Sequence, residues 1–440
     1  MKLLFLFICC AACLYSQLPA TETISNSDGM IYFQVENSRF YSSSSLDSIH
    51  FVAVGQRTRT PAQKGNKKKP HKGGKDMGYV AVLIPNGKTF QPVAEDLFYV
   101  RYKGKKRPTR VRTVAIVKGP AGTGIDIYIT GRGGSDTEGI GFLRHYTWKN
   151  KILTPTQTII LEHKQEGIVY THGYSLKTGD IDGDGKEESV YGRFYGKDIN
   201  EHLSEDFALV RIYKKNAAGT IEETALRPFD QLRIPIRVNA LEVKDINADG
   251  KADIIIAGRG PAGDREYSAF AIWSNDRVTY HVNRKQALPG RFRTVMARDL
   301  DGDGRDELIT GGRINMGSRM LANLQVWKPE THGVTLLAQY SWASDASTRL
   351  RALAPKGTSS FVAAGRTELL AGGKSPRWIG FIRSFEFRKN SLWPSEVPFL
   401  LDNGPETRIR DIRLIDGNRY LSCGFIMKAE KKSTGFLMIR

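Results

Sequence analysis

The chain has 440 residues, of which 40% are hydrophobic and 25% charged, and its formal net charge is +19. This composition describes an ordinary globular chain, long enough for one large core or for two or three modest ones. Beyond the first 20 residues only Cys423 remains, which excludes a framework of intramolecular disulfides. No stretch after those residues is apolar for long enough to cross a bilayer as a helix.

The N-terminus has the pattern of an export signal. Lys2 precedes an apolar run from Leu3 to Leu14, which is too short to span a membrane but fits the core of a signal peptide. We therefore predict a signal peptide over residues 1–20 and an exported protein: secreted, periplasmic or on the cell surface. "CAAC" (10–13) also loosely matches a lipoprotein signal, in which Cys13 would carry a lipid anchor.

One acidic motif occurs three times, as "DIDGDGKEESVYGR" (180–193), "DINADGKADIIIAGR" (245–259) and "DLDGDGRDELITGGR" (299–313). Each copy has acids or amides at positions 1, 3 and 5, glycine at 6, an acid at 9, and then a hydrophobic run that ends in Gly-Arg. Oxygen ligands at alternate positions of a tight loop converge on one point, as Ca²⁺ requires. Magnesium would take fewer protein ligands in stricter geometry, so the motif predicts calcium.

The predicted ligands of about three calcium ions are Asp180, Asp182, Asp184 and Glu188; Asp245, Asn247, Asp249 and Asp253; and Asp299, Asp301, Asp303 and Glu307. An EF-hand would need a glutamate at position 12 between two helices, whereas these flanks have the pattern of strands. An acidic turn without metal is the other alternative, and repulsion among four nearby acids argues against it.

The hydrophobic run and its glycine recur without the acids at 51–57, 125–132, 361–366 and 419–425, which makes seven copies. A related tripeptide precedes each copy, beginning at Arg39, Arg110, His172, Arg237, Arg291, Arg349 and Arg408. Two further strand-like runs separate successive copies, and no helical periodicity follows the signal. The repeat therefore predicts an all-β fold: a single seven-bladed β-propeller of four-stranded blades over residues 30–440. Its last unit lacks a fourth strand, which "MIYFQVEN" (30–37) would supply by pairing with the C-terminal strand.

These repeats resemble FG-GAP/VCBS repeats, the calcium-loop propeller units of integrin α-subunits and of many secreted bacterial lectins and polysaccharide-degrading enzymes. The resemblance implies that position 7 of each loop contributes its backbone carbonyl to the metal: Lys186, Lys251 and Arg305. The metal role is then structural, clamping hairpins in three consecutive blades. In the second copy Lys118 replaces the first acid, so we expect no metal there and a pairing of Lys118 with Asp126 instead.

The resemblance also places the acidic loops on one face of the disc and the repeated arginines on the other. The first arginine of each tripeptide would surround the channel mouth: Arg39, Arg110, Arg237, Arg291, Arg349 and Arg408. The Gly-Arg ends would form a second ring: Arg57, Arg132, Arg193, Arg259, Arg313 and Arg366. A basic loop insert at 57–76 and the connection 103–112 add further cations on that face.

Such a face predicts a binding module for a polyanion, most simply an acidic or sulfated polysaccharide. Tyr41, Tyr174 and Tyr195 would stack on sugar rings. A purely structural role for the arginines stays open, as does a polysaccharide lyase that uses His172 and Tyr174 for proton transfer on a uronate polymer. The basic loop and a pI near 9.7 favour nucleic acid, but the signal peptide and the calcium loops argue against that partner.

Overall fold

The structure is a computed structural model. It describes residues 31–36, 38–58, 76–119, 124–134, 139–161, 170–196, 207–225, 229, 234–262, 265–274, 276–282, 289–331, 333–343, 346–369, 376–395, 397–402, 406–416, 419–427 and 433–440. Every regular element in these ranges is a β-strand. The same ranges hold no helix long and apolar enough to cross a membrane. The predicted signal peptide at 1–20, with Cys13, and most of the basic insert at 57–76 lie outside the described residues.

The strands form antiparallel groups of four, which we call units 1 to 7. Unit 1 contains β2 (Ser38–Ser45), β3 (Phe51–Thr58), β4 (Asp76–Asn86) and β5 (Thr89–Phe98), and a ribbon of β6 (Val100–Tyr102) and β7 (Lys105–Arg107) follows it. Unit 2 contains β8 (Thr109–Lys118), β9 (Ile125–Gly133), β10 (Ile140–Lys149) and β11 (Ile152–Leu161). Unit 3 contains β12 (Tyr170–Gly179), β13 (Glu188–Gly196), β14 (Phe207–Lys215) and β15 (Ile221–Glu223).

Units 4 to 7 repeat this order. Unit 4 contains β16 (Arg237–Lys244), β17 (Asp253–Ala262), β18 (Arg265–Ser274) and β19 (Arg277–Val282); unit 5 contains β20 (Gly290–Arg298), β21 (Glu307–Met316), β22 (Arg319–Glu330) and β23 (Gly333–Trp342). Unit 6 contains β24 (Thr348–Pro355), β25 (Ser360–Leu369), β26 (Arg377–Arg388) and β27 (Ser391–Pro394), with β28 (Phe399–Leu401) also paired to β26. Unit 7 contains β29 (Glu406–Asp416), β30 (Arg419–Met427), β31 (Ser433–Ile439) and the first strand of the chain, β1 (Ile31–Glu36).

The pairing of β1 with β31 joins the two ends of the described chain. The two strands are antiparallel, with Ile31 opposite Ile439 and Glu36 opposite Thr434. A single parallel bridge between Tyr32 and Thr89 also links β1 to unit 1. The fourth strand of the last unit therefore comes from the opposite end of the sequence.

Hydrophobic side chains pack between neighbouring units rather than in one central core. Second strands such as β17 are continuous apolar runs, with Ile254, Ile255 and Ile256 all fully buried, because both of their faces are covered. Seven apolar clusters lie one between each pair of neighbouring units, including the pair of units 7 and 1. The first strands contact one another in chain order, and β29 contacts β2, so this series of contacts returns to its starting strand.

Every first strand contains a β-bulge at the third residue of the repeated tripeptide. The extra residues, which have no partner on the second strand, are Tyr41, Arg112, Tyr174, Asn239, Arg293, Arg351 and Arg410. The bulge explains the repeated glycine, because a Cβ at Gly312 would overlap the carbonyl oxygen of Arg291. Five other units have the same close approach, at Gly55, Gly131, Gly258, Gly365 and Gly424.

Candidate functional site

The three acidic loops share one backbone scaffold. In the loop of unit 5, Asp299 accepts hydrogen bonds from the N–H groups of Gly302 (2.7 Å) and Gly304 (3.1 Å). Asp303 accepts one from the N–H of Arg305 at 2.9 Å. Equivalent bonds to Asp180 and Asp184 in unit 3, and to Asp245 and Asp249 in unit 4, fold the other two loops in the same way. The loop sequence thus holds its own carboxylates in fixed directions.

The backbone turns of these loops need left-handed conformations at positions 4 and 6. Gly302 and Gly304 have φ of 81° and 83°. Glycine adopts such angles without the steric cost that a Cβ brings. The loop of unit 4 has Ala248 at position 4 with φ of 62°, so it accepts strain that the other two loops avoid.

Carboxylate oxygens converge in two of the three loops. Ligand atoms within 4.8 Å of one another come from Asp180, Asp182 and Glu188 in unit 3, and from Asp299, Asp301 and Asp303 in unit 5. These two clusters, which we call the acidic clusters, have the oxygen donors that suit a hard cation such as Ca²⁺. The acids of unit 4 form no such group among the described residues, and an amide, Asn247, stands at the third position of that loop.

Each acidic cluster has a lysine from the third strand of its own unit. The Lys214 Nζ lies 2.7 Å from Asp182, 2.6 Å from Asp184 and 3.2 Å from Glu188. Hydrogen bonds to these acids raise the pKa of the ammonium group. The Lys328 Nζ lies 2.6 Å from Asp303 and 3.5 Å from Asp301, and its hydrogen bond lowers the pKa of Asp303.

The register explains why these lysines reach the clusters. Tyr213 pairs with Ser189, and Trp327 pairs with Leu308. The next residues along these third strands are Lys214 and Lys328. They therefore lie across from the glutamates at position 9 of the loops, Glu188 and Glu307. Ser274 occupies the same position in unit 4 and bonds to Asn247 at 3.0 Å. Neither lysine is predicted from the sequence. The aromatic-lysine pairs "YK" and "WK" near the ends of these third strands are a signal by which both could be found.

One ligand oxygen in unit 5 is left without a partner. Glu307 is fully buried, and its Oε2 accepts the N–H of Leu300 at 2.8 Å. Its Oε1 has no hydrogen-bond partner among the described residues. Burial raises the pKa of Glu307, and the nearby Asp301 and Asp303 raise it further. An unpartnered, buried carboxylate oxygen beside three more carboxylates is an arrangement that a divalent cation would compensate.

Two further acids pair with cations from a neighbouring unit or strand. Asp306, at position 8 of its loop, forms an ion pair with Lys244 of unit 4 at 2.6 Å. Asp126 bonds to His145 at 2.8 Å and to Lys215 of unit 3 at 2.8 Å. The expected pairing of Asp126 with Lys118 does not form. Val117 is the residue opposite Asp126, and Lys118 lines a cavity of about 560 Å³ that the first strands surround.

The two predicted sets of arginines meet across the first and second strands. Four arginine pairs stand directly opposite one another: Arg110 and Arg132, Arg237 and Arg259, Arg291 and Arg313, and Arg349 and Arg366. Burial lowers the pKa of Arg291, and the neighbouring Arg313 and Arg259 lower it further. Like charges in direct opposition destabilise a sheet unless other groups compensate them.

Compensation for these arginines comes from a few acids and aromatic rings. Arg366 and Arg408 both bond to Glu406, Arg259 bonds to Glu266, and Arg110 lies 3.5 Å from Asp76. Arg349 and Arg366 also stack on the ring of Trp378, with centroid distances of 4.6 and 4.2 Å. These contacts agree with the structural role that the sequence left open.

Exposure separates the predicted ligand-binding arginines into two sets. Arg132, Arg193 and Arg366 are buried at 3–6% exposure, and Arg193 donates to the carbonyl of Leu161 at 2.9 Å. The other nine are partly exposed: Arg39, Arg57, Arg110, Arg237, Arg259, Arg291, Arg313, Arg349 and Arg408. Only this second set can meet a ligand at the surface without rearrangement.

The predicted aromatic and catalytic residues divide in a similar way. Tyr41 is buried, and its hydroxyl donates to Gln56 at 3.0 Å, so it is not positioned to stack on a sugar at the surface. His172, Tyr174 and Tyr195 lie on described strands, but their side chains lie outside the described part of the structure. The lyase alternative therefore stays a prediction.

Comparison with solved structures defines the fold class. The chain is similar to the Dos1 propeller, with a TM-score of 0.50 and 9% sequence identity over 92% of this chain and 94% of that one. It is also similar to Sqt1 from Chaetomium thermophilum, with a TM-score of 0.46 and 13% identity over 90% of this chain and 82% of that one. No protein-family model and no curated protein matches the chain. The fold is that of a β-propeller.

Proposed function

We propose that this chain is an exported propeller of the FG-GAP/VCBS type, with seven blades closed by the pairing of β1 and β31. In this proposal it binds calcium in its acidic loops and a polyanion on its arginine-rich face. The blade count is supported by the seven interfacial clusters and by the cycle of contacts among first strands. The three acidic loops, the bulged tripeptides and the repeated glycines support the family resemblance.

The calcium part of the proposal rests on the unpartnered Oε1 of Glu307. With metal bound, Asp299, Asp301, Asp303 and Glu307 would supply oxygen ligands, and the ion would supply charge compensation for the hairpin. The equivalent set in unit 3 would do the same. In unit 4 the ligands would have to move together, because the acids there form no such group among the described residues. Binding to the folded state alone stabilises it, by about 2.7 kcal/mol at a concentration 100 times the dissociation constant.

Thermal unfolding in calcium, in magnesium and in excess chelator tests the calcium part. We expect the midpoint to fall by a few degrees when a chelator removes the metal, since about 1 kcal/mol shifts the midpoint of a 150–250-residue domain by about 2–4 °C. Glu307→Gln should remove part of that response. A midpoint that is the same in calcium and in chelator would rule out stabilisation by the metal.

The polyanion part rests on one observation, the four arginine pairs that stand directly opposite one another. Acids and aromatic rings compensate part of this charge, but some repulsion remains, since burial and neighbouring arginines lower the pKa of both Arg291 and Arg313. A polyanion on that face would relieve the repulsion and form charge-assisted hydrogen bonds to the guanidinium groups. An acidic or sulfated polysaccharide has the repeated charge that such an array matches, and an exported protein would meet it.

Chromatography on immobilised heparin, used as a sulfated probe, tests the polyanion part. We expect retention that falls steeply with salt, and a salt dependence reduced by about one unit for each contact removed. Arg291→Gln and Arg349→Gln, both partly exposed, should elute earlier than the parent protein. The matched control is Arg277→Gln, an exposed arginine at the start of β19 that lines the same pocket as the acidic-loop residue Arg305.

The outcomes of this experiment are distinct. Equal loss of retention in the control and the two variants would show that overall charge, and not the arginine pairs, holds the probe. Deletion of residues 59–75, measured in parallel, separates the contribution of the basic insert. Retention that disappears with the deletion and is unchanged in Arg291→Gln and Arg349→Gln would move the binding surface to the insert.

A further inference from the structure

Six of the seven β-bulges place a residue of a first strand on the wall of one cavity, which the first strands surround. A bulge leaves its extra residue unpaired and turns that side chain away from the regular alternation. Six of these residues line one central cavity of about 560 Å³: Tyr41, Arg112, Asn239, Arg293, Arg351 and Arg410. The seventh, Tyr174, has a side chain outside the described residues.

Four of the six are arginines, and we call Arg112, Arg293, Arg351 and Arg410 the arginine collar. Several of their contacts are with neutral groups or aromatic rings. Arg112 lies 4.5 Å from the centroid of the Tyr41 ring, and Arg410 lies 5.7 Å from it. Arg293 donates to Asn239 Oδ1 at 2.9 Å. Arg112, Arg351 and Arg410 form no ion pair with any described residue.

The carboxylates that line the same cavity are already engaged. Glu242 pairs with Lys177 at 3.0 Å, and Asp411 pairs with Arg413 at 3.3 Å. Asp411 also accepts hydrogen bonds from the hydroxyl of Ser42 (2.8 Å) and the N–H of Ser43 (3.2 Å). Lys118 lines the cavity as well and adds one more cation. The cavity wall therefore has an excess of positive charge that the lining acids do not compensate.

Arg351 shows the effect of this positive charge on a single side chain. Burial holds its pKa well below the usual value, and the nearby Arg293 and Arg410 lower it further. The Nε of Arg410 is buried without a hydrogen-bond partner. Enclosed like charges of this kind are costly to bring together unless an anion joins them.

We infer that the arginine collar is a binding site for a multivalent oxyanion, a phosphate or sulfate group, inside the central cavity. Guanidinium groups form forked hydrogen bonds to such oxyanions, and a cavity of this size is that of a small-ligand site. The inference goes beyond the arginine-rich face proposed above, because the collar residues are the bulge residues that face the cavity and not the arginine pairs. Tyr41 would hold Arg112 and Arg410 in place as a positioning residue.

Calorimetric titration tests the site. The protein is titrated with inorganic pyrophosphate and with sulfate, and sodium chloride of equal ionic strength is the control. We expect both oxyanions to bind and chloride to have no effect, with the stronger of the two indicating whether phosphate or sulfate groups are preferred. Arg351→Met, which removes the charge and keeps the length, should weaken binding about tenfold or more. Arg112→Met serves as a second variant if the first does not fold, and Arg277→Met is the control.

A second measurement separates a binding role from a structural one. Without oxyanion the collar arginines repel one another, so Arg351→Met should unfold at the same temperature as the parent protein or at a higher one. With pyrophosphate, the parent protein should be stabilised and Arg351→Met should not. Failure of the parent to bind either oxyanion would overturn the inference, as would unchanged affinity in both collar variants. Heparin retention is measured on the same variants. If a variant loses oxyanion binding but is retained on heparin like the parent protein, the proposal for the arginine-rich face is unaffected.

Discussion

The acidic clusters and the arginine collar lie at opposite ends of the first strands, and each gathers like charges. In unit 5, β20 has Arg293 near its start and is followed directly by the loop that begins at Asp299. The acidic cluster receives Lys328 from its own unit, whereas Arg351 in the collar forms no ion pair with a described residue. Among the described residues, both acidic clusters pair with a lysine of the protein, whereas Arg112, Arg351 and Arg410 pair with no acid. The collar is therefore the end that depends more on an external ion.

The two ends also differ in how tightly the backbone is constrained. At the bulge the second strand passes so close to the first that only glycine fits at Gly312. In the acidic loop Gly304 needs its left-handed φ of 83° but has no atom near the position of a Cβ. Steric exclusion therefore requires glycine at the bulge, whereas in the loop only the backbone conformation favours glycine.

The largest expected effect is that of Gly312→Ala. Its Cβ would overlap backbone, so we expect a loss of about 3 kcal/mol in the free energy of unfolding. Gly304→Ala should lose about 1 kcal/mol, the cost of a left-handed residue with a side chain. Urea unfolding of both variants beside Gly333→Ala, where neither constraint applies, checks the order. Equal losses at the two constrained sites would mean that the bulge relaxes around the new methyl group.

A smaller effect is expected when the internal cation of an acidic cluster is removed. Lys328→Met deletes the ammonium group that a calcium ion must displace, so we expect calcium affinity to rise about tenfold and stability in chelator to fall. Calorimetric titration with calcium measures the first quantity and thermal unfolding the second. Lys149→Met, an exposed lysine of unit 2 that also follows a tryptophan, is the control. Weaker calcium binding in Lys328→Met would show that the lysine assists the site.

The smallest effect concerns unit 2, where the protein compensates its position-9 acid entirely from within. Burial works to raise the pKa of Asp126, but hydrogen bonds from His145 and Lys215 outweigh it and lower the pKa. A lowered pKa contributes stability above the ordinary carboxyl pKa, and that contribution is lost as the pH falls through the lowered value. Asp126→Asn should cost about 1 kcal/mol or less near neutrality.

That cost should shrink as the pH falls from about 5 toward 3, because the protonated aspartic acid then resembles the amide. Urea unfolding of the parent and of Asp126→Asn across this range measures the difference. Lys215→Met is the companion variant, since it removes one of the two groups that lower the pKa. A difference that stays constant across the pH range would show that the ion pair contributes nothing that titrates.

The repeats made the architecture predictable to a large extent. Acids at alternate positions, the following hydrophobic run and the glycine marked four-stranded units, because each feature is local in sequence. The strand that completes unit 7 was predicted from a missing element, and the structure does pair β31 with residues 31–36. The ribbon of β6 and β7, of which only β7 falls within 103–112, is not predicted, since the sequence there indicates only a charged connection.

The site was less predictable, because its decisive contacts cross strands. Lys214 and Lys328 reach the acidic clusters through a register that the sequence alone does not display. From the sequence, the first arginines of the tripeptides are assigned to the channel mouth, which stays a prediction. No role in the cavity is predicted for the third residues, six of which line it. Asp126 was assigned the wrong partner, because neighbouring residues of a strand point to opposite faces.

The position of β1 has a consequence for how the chain reaches its final state. Unit 7 holds three strands from the end of the sequence and one from residues 31–36, so its sheet cannot be completed until nearly the whole polypeptide has been synthesised. Closing so long a loop costs entropy that only late contacts repay, which slows folding. Until then β31 presents an open hydrogen-bonding edge, and such an edge readily pairs with another chain. In the export that we propose, delayed folding of this kind would keep the polypeptide unfolded while it crosses a membrane.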